Sequence, residues 1–149
     1  KDLMAAKGLT LSIAESCTGG LVSAAITDFP GASAVLAGSI IAYDNRIKQS
    51  HLNVAEKLIR EQGVVSQDCA IAMAIGCRDT FNTDFALAVT GIAGPDGGSE
   101  DRPVGLVWLA VSCPAGTVSK QIMVNGNRSR VRRVAVLQAL DLLRRQVLA

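Results

Sequence analysis

The segment Leu9–Ile26, LTLSIAESCTGGLVSAAI, changes within a few residues from a strand pattern to a helix pattern. Leu9–Ala14 is typical of a short strand, and Leu21–Ile26 has the apolar and small residues of a helix. The residues between them carry hydroxyls and paired glycines, which let backbone N–H groups approach a ligand. A helix N-terminus there favours an anion or a developing oxyanion. The junction is therefore a candidate site, with Ser16 as the first candidate nucleophile.

Two other interpretations of this junction remain open from the spacing alone. In one, Ser16 or Thr18 caps the helix and the glycines make a tight turn. In the other, Cys17 is the nucleophile, although a thiol at this position is equally compatible with burial.

The composition limits the classes of protein to which this chain can belong. A chain of 149 residues, 49% of them hydrophobic, predicts one domain spanning residues 1–149 with a sizeable core. The net charge of +2 is too small to indicate nucleic-acid or membrane binding, but it does not repel a phosphorylated small molecule. No apolar run approaches the roughly 20 residues that span a bilayer.

The four cysteines, Cys17, Cys69, Cys77 and Cys113, lie far apart in a chain without a recognisable secretory signal. This pattern predicts reduced thiols and a cytoplasmic protein. Neither a CxxC pair nor a histidine cluster is present, so we expect no metal site.

Strand and helix patterns alternate along the rest of the chain. The predicted elements are a strand at Val35–Tyr43, helices at Asn45–Leu52 and Val54–Gln62, a helix capped by Ser66 and ending at Phe81, a strand at Phe85–Val89, a hairpin of Val104–Ser112 and Val118–Val124, and a closing helix at 129–148. On the closing helix, the expected apolar face consists of Val131, Val134, Leu137, Leu140 and Leu143.

This order of elements predicts an α/β fold, a three-layer α/β/α sandwich with a mixed, mostly parallel sheet. Such sheets bind ligands at the carboxyl ends of their parallel strands. The loops after residues 14, 43 and 89 follow strands in that way, so we expect them to meet.

Four motifs in these loops resemble the CinA C-terminal domain family. They are Glu15-Ser16-Cys17-Thr18-Gly19-Gly20, Ala42-Tyr43-x-Asn45 with Lys48, Thr90-Gly91-Ile92-Ala93-Gly94-Pro95-x-Gly97-Gly98 followed by Pro103-Val104-Gly105, and Gly126-x-Arg128 with Arg132. The resemblance spans nearly the whole chain. Asn127 stands where the family pattern has an acidic residue, and Arg102 replaces its commoner lysine.

The family includes nicotinamide mononucleotide deamidases. The resemblance therefore implies hydrolysis of the carboxamide of a nucleotide substrate, giving nicotinic acid mononucleotide and ammonia through an acyl-enzyme at Ser16. It implies no cofactor. A homo-oligomer is compatible with this interpretation.

Amide hydrolysis needs a base, and His51, the only histidine, lies in a predicted helix where a solvated role is favoured. Lys48 and Tyr43 are the available candidates. Lys48 acts as a base only if burial or a nearby cation lowers its pKa. Alternatively, a charged Lys48 stabilises a tyrosinate or the oxyanion while Tyr43 relays the serine proton.

Thr90 is the remaining candidate catalytic residue, because its hydroxyl and the N–H groups near it could hold the carboxamide or its oxyanion. Arg128 and Arg130 are the candidates for binding the nucleotide phosphate. The complete set of predicted substrate-binding residues is Thr18, Gly19, Gly20, Asn45, Gly91, Gly94, Arg128 and Arg130.

Two rival functions remain at this point. The chain could be an amidase for another pyridine or nucleotide amide. It could also be a non-catalytic, competence-associated module in which the glycine loops bind phosphate and Ser16 is only a cap.

Overall fold

The computed structural model describes residues 1–149 as one five-stranded sheet covered by helices on both faces. The strands are β1 (Leu11–Glu15), β2 (Leu36–Ile41), β3 (Phe85–Gly91), β4 (Leu106–Cys113) and β5 (Gly116–Met123). The helices are α1 (Asp2–Ala6), α2 (Leu21–Thr27), α3 (Asn45–Leu52), α4 (Glu56–Gln62), α5 (Gln67–Phe81) and α6 (Arg128–Leu148).

The strand order is β2-β1-β3-β4-β5. Strand β1 pairs in parallel with β2 and β3, whereas β4 runs antiparallel to both β3 and β5. Four of the five strands therefore point the same way, which confirms the predicted mixed sheet.

Two apolar cores lie on opposite faces of the sheet, as the alternation of side chains along β3 shows. Phe85, Leu87 and Val89 face the core formed with α1, α2 and α6, while Ala86 and Ala88 face the core formed with α3 and α5. This arrangement confirms the three-layer α/β/α architecture.

Local capping explains why several predicted boundaries are accurate. The Asp44 carboxylate accepts the backbone N–H of Arg46 at the start of α3, and Asn53 ends the helix with a φ of 53°. The Ser66 hydroxyl accepts the N–H of Cys69, so the predicted cap of α5 is confirmed. Strand β2 is shorter than predicted, which leaves Tyr43 beyond its end.

The predicted apolar face of α6 is correct in part, since Val131 and Leu143 are buried and Val134 and Leu140 pack against the core, but Leu137 does not belong to it. The buried residues are Val131, Ala135, Val136, Ala139, Leu143 and Val147, and Leu137 is 66% exposed. Successive steps of three residues turn backwards by about 60° each, because an α-helix advances about 100° per residue. Residues spaced by three therefore move around the helix, whereas residues spaced by four, such as Ala135 and Ala139, stay on the side that faces the sheet.

None of the helices is both long and apolar enough to cross a bilayer. All four cysteines are buried and unpaired.

Candidate active site

The strand register assembles the site. Glu15, the last residue of β1, pairs with Ile41 in β2 and with Val89 in β3. The residues that follow these three positions consequently meet at one edge of the sheet. The prediction that the loops after β1, β2 and β3 share a surface is thereby confirmed.

A cleft of about 270 Å³ opens at this edge. Eight of the predicted site residues line it, namely Ser16, Tyr43, Asn45, Lys48, Thr90, Gly91, Gly94 and Arg128. Four others, Thr18, Gly19, Gly20 and Arg130, do not line it.

Lys48 is the central ionisable group of the cleft. Its side chain comes from α3 and is only 1% exposed, and its Nζ lies 3.4 Å from the Ser16 hydroxyl. The same nitrogen donates to the carbonyl oxygens of Ala42 at 2.7 Å and Tyr43 at 3.4 Å. Burial lowers the pKa of the Lys48 amine, because desolvation disfavours its charged form.

Tyr43 contributes to the site at two points. Its backbone carbonyl holds Lys48, as described above, while its side chain is 59% exposed at the rim of the cleft. Its hydroxyl accepts a 2.9 Å hydrogen bond from Arg128, which also donates to the Gly94 carbonyl at 2.9 Å. No hydrogen bond joins the Tyr43 hydroxyl to Ser16, so the lysine is the closer of the two candidate bases.

Thr90 is 1% exposed, and its hydroxyl donates to the carbonyl oxygen of Val64 at 2.7 Å. The single hydroxyl proton is therefore already engaged. Close to it, the backbone N–H groups of Ala93 and Gly94 make no hydrogen bond within the chain. On this side of the cleft, backbone amides are the open donors.

Cys17 lines the cleft beside Ser16 but is 5% exposed. Burial raises the pKa of its thiol to about 11. A thiol is nucleophilic as its thiolate, which is scarce at neutral pH under these conditions. The chemistry of the site therefore favours the Ser16 oxygen over the Cys17 sulfur.

The predicted anion site at the start of α2 is occupied by the chain itself. The Glu15 carboxylate, fully buried, accepts the backbone N–H groups of Gly20, Val22 and Ser23 at 2.9, 3.1 and 2.9 Å. The N–H of Gly19 donates to the Ser16 carbonyl. The amides of Gly19 and Gly20 are thus unavailable to a ligand, which corrects the role expected for them.

The capping interpretation of the junction is also wrong. Gly20 occupies the cap position of α2 with a φ of 98°, and no side chain of the cap residue bonds there. Thr18 is fully buried, and its hydroxyl makes no hydrogen bond in the structure. Ser16 is therefore free of a capping role.

Arg130 and Arg128 lie on different sides of α6. Arg128 reaches the cleft, whereas Arg130 lines a separate groove with Arg133. Residues two apart on an α-helix are about 200° apart around its axis, so the two arginines diverge.

Sequence reasoning assigned no role to two residues that support this site. Glu15 and Arg132 both stand in the quoted motifs, and both bond the loop that carries Ser16. An acidic residue at the buried end of a strand, directly before a glycine-rich helix start, is the signal that could have revealed Glu15. Nothing in the local pattern of α6 distinguishes Arg132 from its neighbours.

The CinA C-terminal domain family model matches residues 1–147 of this chain. The chain belongs to the CinA C-terminal domain family. Within this family, the chain is 47% identical over 147 residues to a CinA-like protein of Dictyoglomus turgidum and 51% identical over 142 residues to one of Geobacter sulfurreducens. These alignments cover 99% and 95% of the chain, but only 36% and 34% of the relatives. This CinA C-terminal domain thus spans about a third of the length of the curated relatives it matches.

Solved structures carry the same fold. A competence/damage inducible protein from Agrobacterium tumefaciens superposes with a TM-score of 0.92 at 39% identity, covering 94% of this chain and 86% of that one. A CinA superfamily protein from Enterobacter cloacae superposes with a TM-score of 0.93 at 27% identity, covering 98% and 86%. These similarities confirm the α/β fold of the CinA C-terminal domain.

Proposed function

We propose that this CinA-family chain is a serine amidohydrolase that converts the carboxamide of nicotinamide mononucleotide into the acid and ammonia. The observation that carries the proposal is the environment of the Lys48 nitrogen. Two of its three oxygen neighbours are carbonyls, which only accept hydrogen bonds, and the third is the Ser16 hydroxyl.

A neutral amine has two N–H donors and one lone pair. In the geometry around Lys48, the carbonyls of Ala42 and Tyr43 take the two donors, and the lone pair is left for the Ser16 proton. Burial favours this neutral form by lowering the pKa. A lysine held in this way is suited to general-base catalysis.

In the proposed reaction, the Ser16 oxygen attacks the carboxamide carbon while its proton passes to Lys48. The resulting tetrahedral oxyanion accepts hydrogen bonds from backbone amides at the edge of the cleft. When the carbon–nitrogen bond breaks, Lys48 returns the proton and ammonia leaves. A water molecule then hydrolyses the ester, its proton passing through Lys48 to the Ser16 oxygen, and the carboxylic acid is released.

One free donor lies directly beside the nucleophile. The backbone N–H of Cys17, a residue that lines the cleft, makes no hydrogen bond within the chain. The amide after a nucleophilic serine is a common oxyanion donor in hydrolases. We assign the oxyanion to this amide in place of the Thr90 hydroxyl, whose proton is engaged with Val64.

Recognition of the nucleotide is supported by the charge of the cleft. Arg128 is cationic, Asp96 is the one acidic residue in the lining, and Val64, Val65 and Ile92 supply apolar surface. A cationic rim suits a phosphate and an apolar wall suits a pyridine ring.

Ammonia release from a panel of amides tests the proposal. The panel contains nicotinamide mononucleotide, nicotinamide riboside, nicotinamide and glutamine, each assayed with wild type and with Ser16→Ala. We expect release from the mononucleotide above all others and none from the variant. Turnover of a different amide by Ser16 would support the serine mechanism but show that the substrate is not the mononucleotide. Binding of the mononucleotide without any ammonia release would identify a non-catalytic module.

A further inference from the structure

The Ser16 loop, defined here as residues 16–20, is held from two sides by side chains of opposite charge. On one side, Glu15 accepts three backbone N–H groups from the start of α2 and the Ser23 hydroxyl at 2.7 Å. A carboxylate offers about four lone-pair positions, so its capacity is filled.

On the other side, Arg132 reaches across from α6. Its Nε donates to the carbonyl oxygen of Cys17 at 3.1 Å, and its Nη2 donates to that of Thr18 at 2.8 Å. Arg132 is half-buried, and it is the only side chain that bonds these two carbonyls. Hydrogen bonds therefore hold two carbonyls of the loop toward α6, and they hold the N–H groups at the start of α2 toward the end of β1.

This division of bonds determines which polar groups remain open. In a trans peptide unit, the C=O and the N–H point in opposite directions. The peptide between Cys17 and Thr18 is trans, so the pull of Arg132 on the Cys17 carbonyl turns the Thr18 N–H away from α6. No group of the chain occupies the Cys17 amide, and Cys17 lines the cleft, so this amide is the open donor of the loop.

We propose that Glu15 and Arg132 are positioning residues, which together fix the Ser16 loop so that the Cys17 amide at the cleft can receive the oxyanion. The inference rests on the proposed function and deepens it. Neither side chain lines the cleft, so both act through the backbone and neither touches the substrate.

The test measures the reactivity of Ser16 independently of the natural substrate. A fluorophosphonate probe forms a bond between the Ser16 oxygen and phosphorus, expels fluoride, and needs the same oxyanion donors. The variants are Glu15→Gln and Arg132→Ala, with Arg133→Ala as the matched control. Arg133 is adjacent on α6 and exposed, and the bonds to the Cys17 and Thr18 carbonyls come from Arg132 instead.

Glu15→Gln keeps the size of the side chain but turns an N–H donor group toward backbone N–H donors. Arg132→Ala releases both carbonyls. We expect each to lower the labelling rate by about tenfold or more, since small displacements at a reacting centre are costly. The kcat for ammonia release should fall in parallel with little change in KM, while Arg133→Ala matches wild type.

Three outcomes separate the possibilities. If both folded variants are labelled within twofold of the wild-type rate, the positioning role of Glu15 and Arg132 is refuted. A rise in KM with an unchanged kcat refutes it as well. If Glu15→Gln does not fold, Arg132→Ala decides alone, and partial recovery by Arg132→Lys, which can reach one carbonyl, supports the proposal. If wild type is labelled at Ser16 but releases no ammonia from the mononucleotide, the proposed substrate is wrong. The labelling rates of the variants still test the positioning role of Glu15 and Arg132.

Discussion

The backbone N–H of Ser16 donates a 3.0 Å hydrogen bond to the carbonyl oxygen of Val89. This bond continues the pairing of β1 with β3 one residue beyond the end of β1. The Cα of Ser16 therefore belongs to the rigid edge of the sheet, while its side chain faces the cleft. The proposed nucleophile is therefore positioned by a main-chain bond that does not depend on its own hydroxyl.

The first prediction concerns Ser16 and its neighbour. Ser16→Ala should abolish ammonia release and leave the melting temperature close to that of wild type, because the bond to Val89 is made by the backbone. Cys17→Ala is the matched variant and should retain most activity, since burial keeps its thiol protonated. Activity of folded Ser16→Ala within tenfold of wild type, or loss confined to Cys17→Ala, would refute the assignment. Rates and thermal melts check both.

The second prediction follows from the lowered pKa of Lys48. If neutral Lys48 is the base, kcat/KM should rise with pH through a midpoint below the usual lysine value, because protons must leave the amine first. Asp44 raises this pKa through its negative charge. Asp44→Asn should therefore move the midpoint to lower pH, because the charge that favours the protonated amine is lost.

Asparagine also caps helices, so Asp44→Asn should preserve the start of α3. Asp28→Asn, an exposed change at the end of α2, is the control for the loss of one negative charge. A midpoint that moves to higher pH in Asp44→Asn, or equally in both variants, would contradict the role of Lys48.

The architecture could be predicted from short local signals. The strand-to-helix change at Leu9–Ile26 and the apolar run Phe85–Val89 identify strands that lie side by side at the centre of the sheet. The caps at Asp44 and Ser66 are local as well, which explains the accurate starts of α3 and α5. The buried face of α6 was predicted only in part, because its alanines, Ala135 and Ala139, were left out, although small side chains fit the close packing of helix on sheet.

The candidate site could be predicted in its location and only partly in its contacts. Strand ends converge by topology, so Ser16, Tyr43 and Thr90 were expected together. The partners of buried polar groups depend on long-range contacts. Thr90 bonds Val64, 26 residues away, and Arg132 bonds Cys17, 115 residues away. The divergence of Arg128 and Arg130, in contrast, follows from helix geometry and was available from the sequence.

The third prediction tests the close approach of two helices. A Cβ added at Gly76 on α5 would overlap the backbone carbonyl of Leu52, the last residue of α3. Gly76→Ala should therefore lower the free energy of unfolding by about 1–3 kcal/mol, although the same change on an exposed helix raises it by up to ~1 kcal/mol. Thermal unfolding should show a loss of about 2–4 °C per kcal/mol.

Ile75→Ala provides the comparison for Gly76→Ala, because the Ile75 side chain is 42% exposed on the same helix. We expect Ile75→Ala to lower the free energy of unfolding by less than Gly76→Ala does. A Gly76→Ala variant more stable than wild type would show that α3 can move away from α5 without cost.

The fourth prediction separates two roles of Tyr43. Its hydroxyl bonds Arg128 and does not bond Ser16, so Tyr43→Phe should act mainly through Arg128. We expect KM to rise by roughly three- to tenfold, or ~0.7–1.4 kcal/mol, with a smaller change in kcat. The double variant Tyr43→Phe with Arg128→Ala should be no worse than Arg128→Ala alone. A large fall in kcat that adds fully to the effect of Arg128→Ala would instead assign proton relay to Tyr43.

The last prediction concerns the phosphate. Arg128 lines the cleft, whereas Arg130 faces another groove, so only Arg128 is placed to meet an anion bound beside Ser16. Nicotinamide riboside should be a poorer substrate than the mononucleotide, and Arg128→Ala should narrow the difference in kcat/KM, since a charge-assisted bond of roughly 1.5–3 kcal/mol needs its anionic partner. Arg130→Ala removes the same charge from the same helix and should leave the ratio unchanged. An equal loss of kcat/KM on both substrates in Arg128→Ala would mean that this arginine only supports Tyr43 and Gly94. Equal turnover of both substrates by wild type would exclude recognition of the phosphate.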